Sequence, residues 1–181
     1  DCNPNNDPAG GTLLVNIGKS RVSGMDLELS LVPVDNLTLD FAFSYLDTET
    51  RKYDAPPAIA PFIVDNEIPF NYTTDKTYSI GVRYALPLSG GLGEELLFNV
   101  DHYWTNDLNY TDTMVPSYHL THMRVDLKGI NRSRLDLGIF VRNLTDEEYN
   151  TTANASGAFI GMTSMIYGAP RMYGAELRYT F

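Results

Sequence analysis

Apolar and polar side chains alternate with a period of two along most of this chain, the spacing of half-buried strands rather than of helices. The last eleven residues, Arg171 to Phe181, show it most sharply. Tyr173, Ala175, Leu177, Tyr179 and Phe181 share one face, and Met172, Gly174, Glu176, Arg178 and Thr180 share the other. The same alternation predicts six earlier strands. The first runs from Val22 to Leu31, with Met25, Leu27, Leu29 and Leu31 opposite Gly24, Asp26, Glu28 and Ser30. A second carries Leu37, Leu39, Phe41, Phe43 and Tyr45 opposite Thr38, Asp40, Ala42 and Ser44. Lys76 to Leu86 is the third, with Tyr78, Ile80, Val82, Tyr84 and Leu86 on its apolar side. Leu96, Phe98, Val100, His102 and Trp104 mark a fourth, Met123, Val125 and Leu127 a fifth, and Leu135, Leu137, Ile139 and Val141 a sixth.

The predicted connections alternate in length. Short turns fall at Val32–Asn36, Pro87–Gly93 and Gly129–Arg132, and long ones at 47–74, 106–116 and 144–169. Pro56, Pro57, Pro61 and Pro69 interrupt regular pairing in the first long stretch. Short turns on one side and long loops on the other are the habit of antiparallel up-and-down transmembrane β-barrels, and the chain ends on the short-turn, periplasmic side. Seven strands are an odd number for a bacterial barrel and leave two bare edges. The expectation is therefore an all-β segment of a larger antiparallel barrel.

Composition agrees and excludes other classes. Aromatics make up 12% of the residues, with twelve Tyr against one Trp. A net charge of -10 and a pI near 4.6 leave no basic stripe for nucleic acid. No run approaches the roughly 18 apolar residues of a spanning helix, whereas barrel strands average out as polar. The opening Asp1-Cys-Asn-Pro-Asn-Asn-Asp lacks the basic and apolar parts of a signal peptide, so either the chain is not exported or its beginning is missing. The second option fits the strands better. Cys2, the single cysteine, is either a free thiol or half of a bridge to a partner upstream of Asp1.

Two stretches resemble a known family. Asn143-Leu-Thr-Asp-Glu-Glu-Tyr149, followed by Pro170-Arg-Met-Tyr-Gly174 and the terminal Phe181, is similar to the C-terminal signature of TonB-dependent outer-membrane receptors. Asn16 to Leu29 resembles a second family stretch, with Asp26 where Glu is commoner. The resemblance implies that residues 1–181 are the C-terminal part of such a barrel, about seven strands of the roughly 22 found in outer-membrane transporters with a plugged lumen. The plug domain and the energy-coupling segment, or TonB box, would lie upstream. It also implies that Gly174, Leu177, Tyr179 and Phe181 form the terminal signal read by the barrel-assembly machinery. The implied function is energised import of a scarce nutrient (siderophore-iron, a vitamin or a glycan) across the outer membrane of a Gram-negative bacterium. Implied partners are outer-membrane lipid, the nutrient and the TonB complex, reached through the absent N-terminal part. The alternatives are a non-transport barrel, adhesin or porin-like, and a soluble β-sandwich binding module.

The charged residues of the polar face are candidates for lining a lumen: Arg83, Asp101, Arg124, Asp126, Asp136, Arg142, Glu176 and Arg178. For any one of them a simple hydrated wall is the competing reading. In the long connections Arg51, Lys52, Tyr53, Phe62, Phe70, Tyr72 and Tyr110 are candidates for touching a ligand. His119 and His122, three apart on a strand, face opposite sides and do not chelate one ion, and no zinc spacing is present. No metal, no cofactor and no catalysis are expected, since Ser, His and Asp occur without a nucleophile motif. Seven Asn-x-Ser/Thr sites follow from an Asn- and Thr-rich composition.

Overall fold

The structure, a computed structural model, describes residues 18–53, 70, 72–110, 113–157 and 161–181, with side chains for all of these except 50–53 and 155–157. Eleven strands follow one another among them: β1 (Gly18–Val34), β2 (Leu37–Tyr53), β3 (Lys76–Pro87), β4 (Glu95–Thr105), β5 (Leu108–Tyr110), β6 (Thr113–Val115), β7 (Tyr118–Lys128), β8 (Leu135–Arg142), β9 (Asn150–Gly157), β10 (Met162–Tyr167) and β11 (Met172–Tyr179). Seven of them form one sheet in the order β1-β2-β3-β4-β7-β8-β11, and β5–β6 and β9–β10 are separate hairpins. By contact density the chain divides into two units, residues 1–21 with 48–68 and residues 22–47 with 69–181. Among the described residues the first unit comprises 18–21 of β1 and 48–53 of β2.

The seven strands expected from alternation are the seven of the sheet, and the chain is all-β. Two details differ. β2 continues to Tyr53, so the backbone of Arg51, Lys52 and Tyr53 is strand and not loop. β-Branched Thr48 and Thr50 suit a pleated strand, and the first proline stands only at position 56. Two of the long connections also fold back on themselves, as β5–β6 and β9–β10.

Register explains why the alternation is so regular. Leu37 lies opposite Tyr84, Tyr84 opposite Phe98, Phe98 opposite Val125, Val125 opposite Ile139 and Ile139 opposite Ala175. One step along, Leu86, Leu96, Leu127, Leu137 and Leu177 form a row of leucines across five strands. Polar positions meet polar positions in the same way: Asp40, Gly81, Asp101 and His122 make one row, and Thr38, Arg83, Asn99 and Arg124 another. A slip of one residue on any strand would exchange its faces, so each apolar row holds its neighbours in register. The apolar face is not a protein core. Leu177 is 66% and Phe181 98% exposed, while the buried apolar side chains among the described residues are Val115 and Ala153. Among the described residues no helix is long and apolar enough to cross a membrane.

The short turns use residues that tolerate positive φ. Asn36 (φ 67°) closes β1 on β2. Between β7 and β8, Gly129 (φ 60°) precedes a 3-10 turn, Ile130–Arg132. Its N–H donates to Asp136 Oδ1 at 3.0 Å, while Lys128 Nζ donates to Asp136 Oδ2 at 3.1 Å. One carboxylate thus ties the turn to both flanking strands.

The opposite end of β8 is tied by Asn143, which is 3% exposed. Its Nδ2 donates to the carbonyls of Glu147 (2.8 Å) and Ala169 (3.3 Å), and its Oδ1 accepts from Glu147 N–H at 2.9 Å. Asp146 Oδ1 accepts from Arg171 N–H at 3.1 Å, and its Oδ2 meets Arg171 Nη2 at 3.3 Å. Asn143 and Asp146 both hold positive φ, 52° and 58°. Tyr149 completes the clasp: its carbonyl accepts from Gly168 N–H at 2.7 Å, and its ring occupies the space a Cβ on Gly168 would need. The Asn-Leu-Thr-Asp-Glu-Glu-Tyr segment is therefore a joint between β8 and the start of β11. Asn143→Ala leaves two carbonyls and one N–H without their partner. It is expected to destabilise the full-length protein by about 1–3 kcal/mol, read as a lower denaturation midpoint in detergent; an unchanged midpoint would show the joint to be dispensable.

Candidate functional site

On the polar face the eight charged candidates lie on one side of one sheet, but not as one site. Four form a continuous network. Arg124 clamps Asp126, two residues along its own strand, through Nε (2.8 and 3.0 Å) and Nη2 (2.7 Å). Arg124 Nη2 also donates to Glu176 Oε2 at 3.0 Å, and Arg178 Nη2 to Glu176 Oε1 at 3.0 Å. β8 separates β7 from β11, so the Arg124–Glu176 bond crosses an intervening strand. Gly138 permits the crossing: a Cβ there would stand 2.5 Å from Arg124 Nη2 and 2.6 Å from Asp126 Oδ1. Asp126 is 6% exposed, and this guanidinium supplies hydrogen bonds to both of its carboxylate oxygens. Asp136 serves the Lys128 turn described above, and Arg83 Nε donates to Asn99 Oδ1 at 3.3 Å.

Asp101 and Arg142 stand apart from that network. Asp101 lies opposite His122 in the β4–β7 register. His122 Nδ1 accepts the N–H of Asn143 at 3.0 Å, which leaves Nε2 to carry the ring proton of the neutral form. Arg142 stacks on Phe140, its Cζ 5.7 Å from the ring centroid. These residues line a recess of about 600 Å³ together with Arg124, Tyr149 and Met172. A second recess, of about 540 Å³, is more acidic, with Glu28, Asp40 and Asp101 in its wall. Two of the acids on this face are held by hydroxyls: Ser44 Oγ donates to Asp26 and Ser30 Oγ to Asp40, each at 2.6 Å.

At the long-connection end Tyr72 and Tyr110 meet edge to face with ring centroids 4.9 Å apart. Tyr72 N–H donates to Asn109 carbonyl at 2.7 Å, and Asn109 N–H to Thr73 carbonyl at 3.3 Å, so two separate connections are laced together. Tyr118 and Tyr149 pack 4.7 Å apart beside them in sequence order, and Tyr103 reaches Tyr118 at 6.4 Å. The side chains of Arg51, Lys52 and Tyr53, and residue Phe62, lie outside the described residues.

On the terminal strand Leu177, Tyr179 and Phe181 share the apolar face, with Tyr179 and Phe181 edge to face at 5.2 Å. Gly174 is on the other face, where a Cβ would come within 2.7 Å of Phe140 Cζ. His119 and His122 point to opposite sides, as their spacing requires. His119 meets Glu147 at 3.7 Å and lies opposite Trp104, and His102 Nδ1 shares a hydrogen with Thr121 Oγ1 at 2.9 Å. Among the described residues no three His, Cys, Asp or Glu side chains gather to hold a metal.

Sequence reasoning placed these charges on one face but missed their pairing. Arg124 and Asp126 are two apart on a strand, a spacing that alternation marks only as same-side. The Arg142–Phe140 stack is likewise an i, i+2 pair. A signal for the first was available in the bare glycine at 138, opposite Asp126 in the register, and one for the placement of Phe140 in Gly174, because a missing side chain on a strand leaves room for a neighbour's.

The comparisons with known proteins point the same way. Residues 1–144 match the family described as TonB dependent receptor-like, beta-barrel. Among solved structures, the ferric yersiniabactin uptake receptor FyuA from Yersinia pestis superimposes with a TM-score of 0.73 at 16% identity, over 92% of this chain and 24% of that one. The siderophore receptor PiuA from Acinetobacter baumannii gives 0.63 at 19% identity, over 90% of this chain and 22% of that one. A search of curated proteins gives no match. The chain thus spans about a quarter of the length of the solved receptors it resembles. With a two-faced antiparallel sheet, an exposed apolar side and a family match over most of its length, the chain belongs to the β-barrel family of TonB-dependent receptors.

Proposed function

We propose that this chain is the C-terminal portion of the barrel of an outer-membrane receptor that imports a scarce nutrient. The observation that carries the reading is the apolar face itself. From Leu37 to Tyr45, Tyr78 to Leu86, Leu96 to Trp104 and Tyr173 to Phe181, each apolar run covers nine residues. That is about 27 Å along a strand, and nine to eleven tilted residues cross a bilayer. Tyr45, Tyr78, Trp104 and Tyr173 stand at the long-connection ends of these runs, Tyr78 and Trp104 stacked at 5.4 Å. Tyr179 and Phe181 stand at the other end, so both interfaces have aromatic side chains to anchor them in lipid.

In this reading the long connections face the outside and the polar face lines the lumen. Tyr72 and Tyr110 meet the nutrient first, and Arg51, Lys52 and Tyr53 are further candidates from the sequence. The recess with Arg142, Asp101 and His122 lies on its way, and the Arg124–Asp126–Glu176–Arg178 network holds the wall closed. Two of the similar solved structures are a ferric yersiniabactin uptake receptor and a siderophore receptor, which favours an iron chelate over a vitamin or a glycan. Energy from the TonB complex enters through a plug in the part of the protein outside this sequence. The family is one of transport receptors, so no chemical step on the nutrient is implied. A porin-like barrel is the competing reading.

Uptake separates them. Cells with the full-length protein should accumulate a labelled ferric chelate under iron limitation, and collapsing the proton gradient should abolish uptake while surface binding persists; uptake that survives the collapse would favour the porin-like barrel. Tyr72→Ala or Tyr110→Ala should weaken surface binding about 2- to 13-fold, the loss of one aromatic contact of about 0.5–1.5 kcal/mol, with the barrel still heat-modifiable on gels. Phe181→Ser should lower the amount of assembled receptor without altering its preference among chelates, and normal assembly of the mutant would remove Phe181 from the terminal signal.

A further inference from the structure

The two described connection hairpins pack on each other, but one strand edge among them has no partner among the described residues. β6 lies against β9, Tyr110 OH and Thr152 Oγ1 are 2.8 Å apart, and Val115 of β6 and Ala153 of β9 are buried. The hairpin between β4 and β7 therefore packs on the hairpin between β8 and β11, in the order of the strands below them. β10, on the far side of β9, has no such cover. Among the described residues no strand pairs with its outer edge, and its side chains are exposed, Met162 at 63%, Ile166 at 61% and Tyr167 at 65%. An unpaired strand edge with apolar side chains on both faces is a template for addition of another strand.

We propose that the first long connection of the same barrel completes β10 by adding to its free edge as a further strand. The inference rests on the barrel reading above. β10 leads into β11 through residues 168–171, and β11 is itself an edge of the seven-stranded sheet. In a closed barrel of even strand number the strand beside β11 is the first of the barrel, and it runs antiparallel to β11. β11 runs from the long-connection end to the short-turn end, so the first strand runs the other way and leaves the membrane beside β10. What emerges there is the first long connection. Its matching chemistry is an extended segment whose alternate apolar side chains cover Met162 and Ile166 on one face or Met165 and Tyr167 on the other.

The test uses the full-length receptor in intact cells, with native cysteines replaced, Cys2→Ala included, and single cysteines labelled by a membrane-impermeant maleimide. Met165→Cys and Ile166→Cys should react at least about tenfold more slowly than Ser117→Cys, which is exposed at the same end. Replacing the first long connection by Gly and Ser at equal length, with heat-modifiability verifying the barrel, should raise both to the rate of Ser117→Cys. Fast labelling of β10 in the unaltered receptor overturns the inference. So does slow labelling that survives the replacement, which would assign the cover to a second copy or another partner. Labelling of Asp35→Cys from outside while Ser117→Cys stays silent overturns the orientation instead, and the inference falls with it.

Discussion

Everything in this sheet depends on register. Each strand carries two unlike faces, and the main-chain ladder that joins the strands also decides which side chains stand side by side. With leucines in a row across five strands and charges meeting charges on the reverse, a displaced strand would bring Asp or Arg to the apolar side and Leu to the polar one. In lipid such a displacement carries the cost of an uncompensated charge as well as a lost contact. The glycines belong to the same constraint: Gly138 and Gly174 leave room on the polar face for Arg124 and Phe140 without disturbing the ladder.

The polar face divides by how its charges are satisfied. Around β7, β8 and β11 acids and bases neutralise one another, and a single guanidinium joins the terminal strand to one two places away. Over β1 and β2 the acids are held by serine hydroxyls, which leave the negative charge in place. The first region is mechanically closed and electrically quiet. The second keeps a field that a cationic surface or solute would feel.

Much of the architecture was legible because a two-residue period is a direct image of a two-faced sheet. Seven strands, their faces and the alternation of short and long connections followed from Leu, Tyr and Phe spacing with no reference to partners. The extent of β2 did not, because Thr48 to Tyr53 carries no apolar alternation and only the absence of proline marks it as extended. The small hairpins were hidden for a similar reason: Asn-, Thr- and Ser-rich strands such as β9 read as loop. The candidate site was legible as a set of residues on a face and not as a set of bonds. Hydrogen-bond partners such as Asn143 with Ala169, or Arg124 with Glu176, lie 26 and 52 residues apart, and alternation has no memory over that distance.

The joint at Asn143 separates two histories that a loop and its barrel would otherwise share. Because Asn143, Asp146 and Tyr149 bind Ala169, Arg171 and Gly168 at the base, the stretch from Asn150 to Tyr167 hangs from a closed ring of contacts. Within that stretch β9 is also held from the side, by its packing on β6 and the Tyr110–Thr152 hydrogen bond, while β10 is joined to β9. A substitution on β10 therefore meets β9 and the ring before it meets β8 or β11. The sequence of β10 is thereby uncoupled from the register that the seven-stranded sheet enforces on every strand below it.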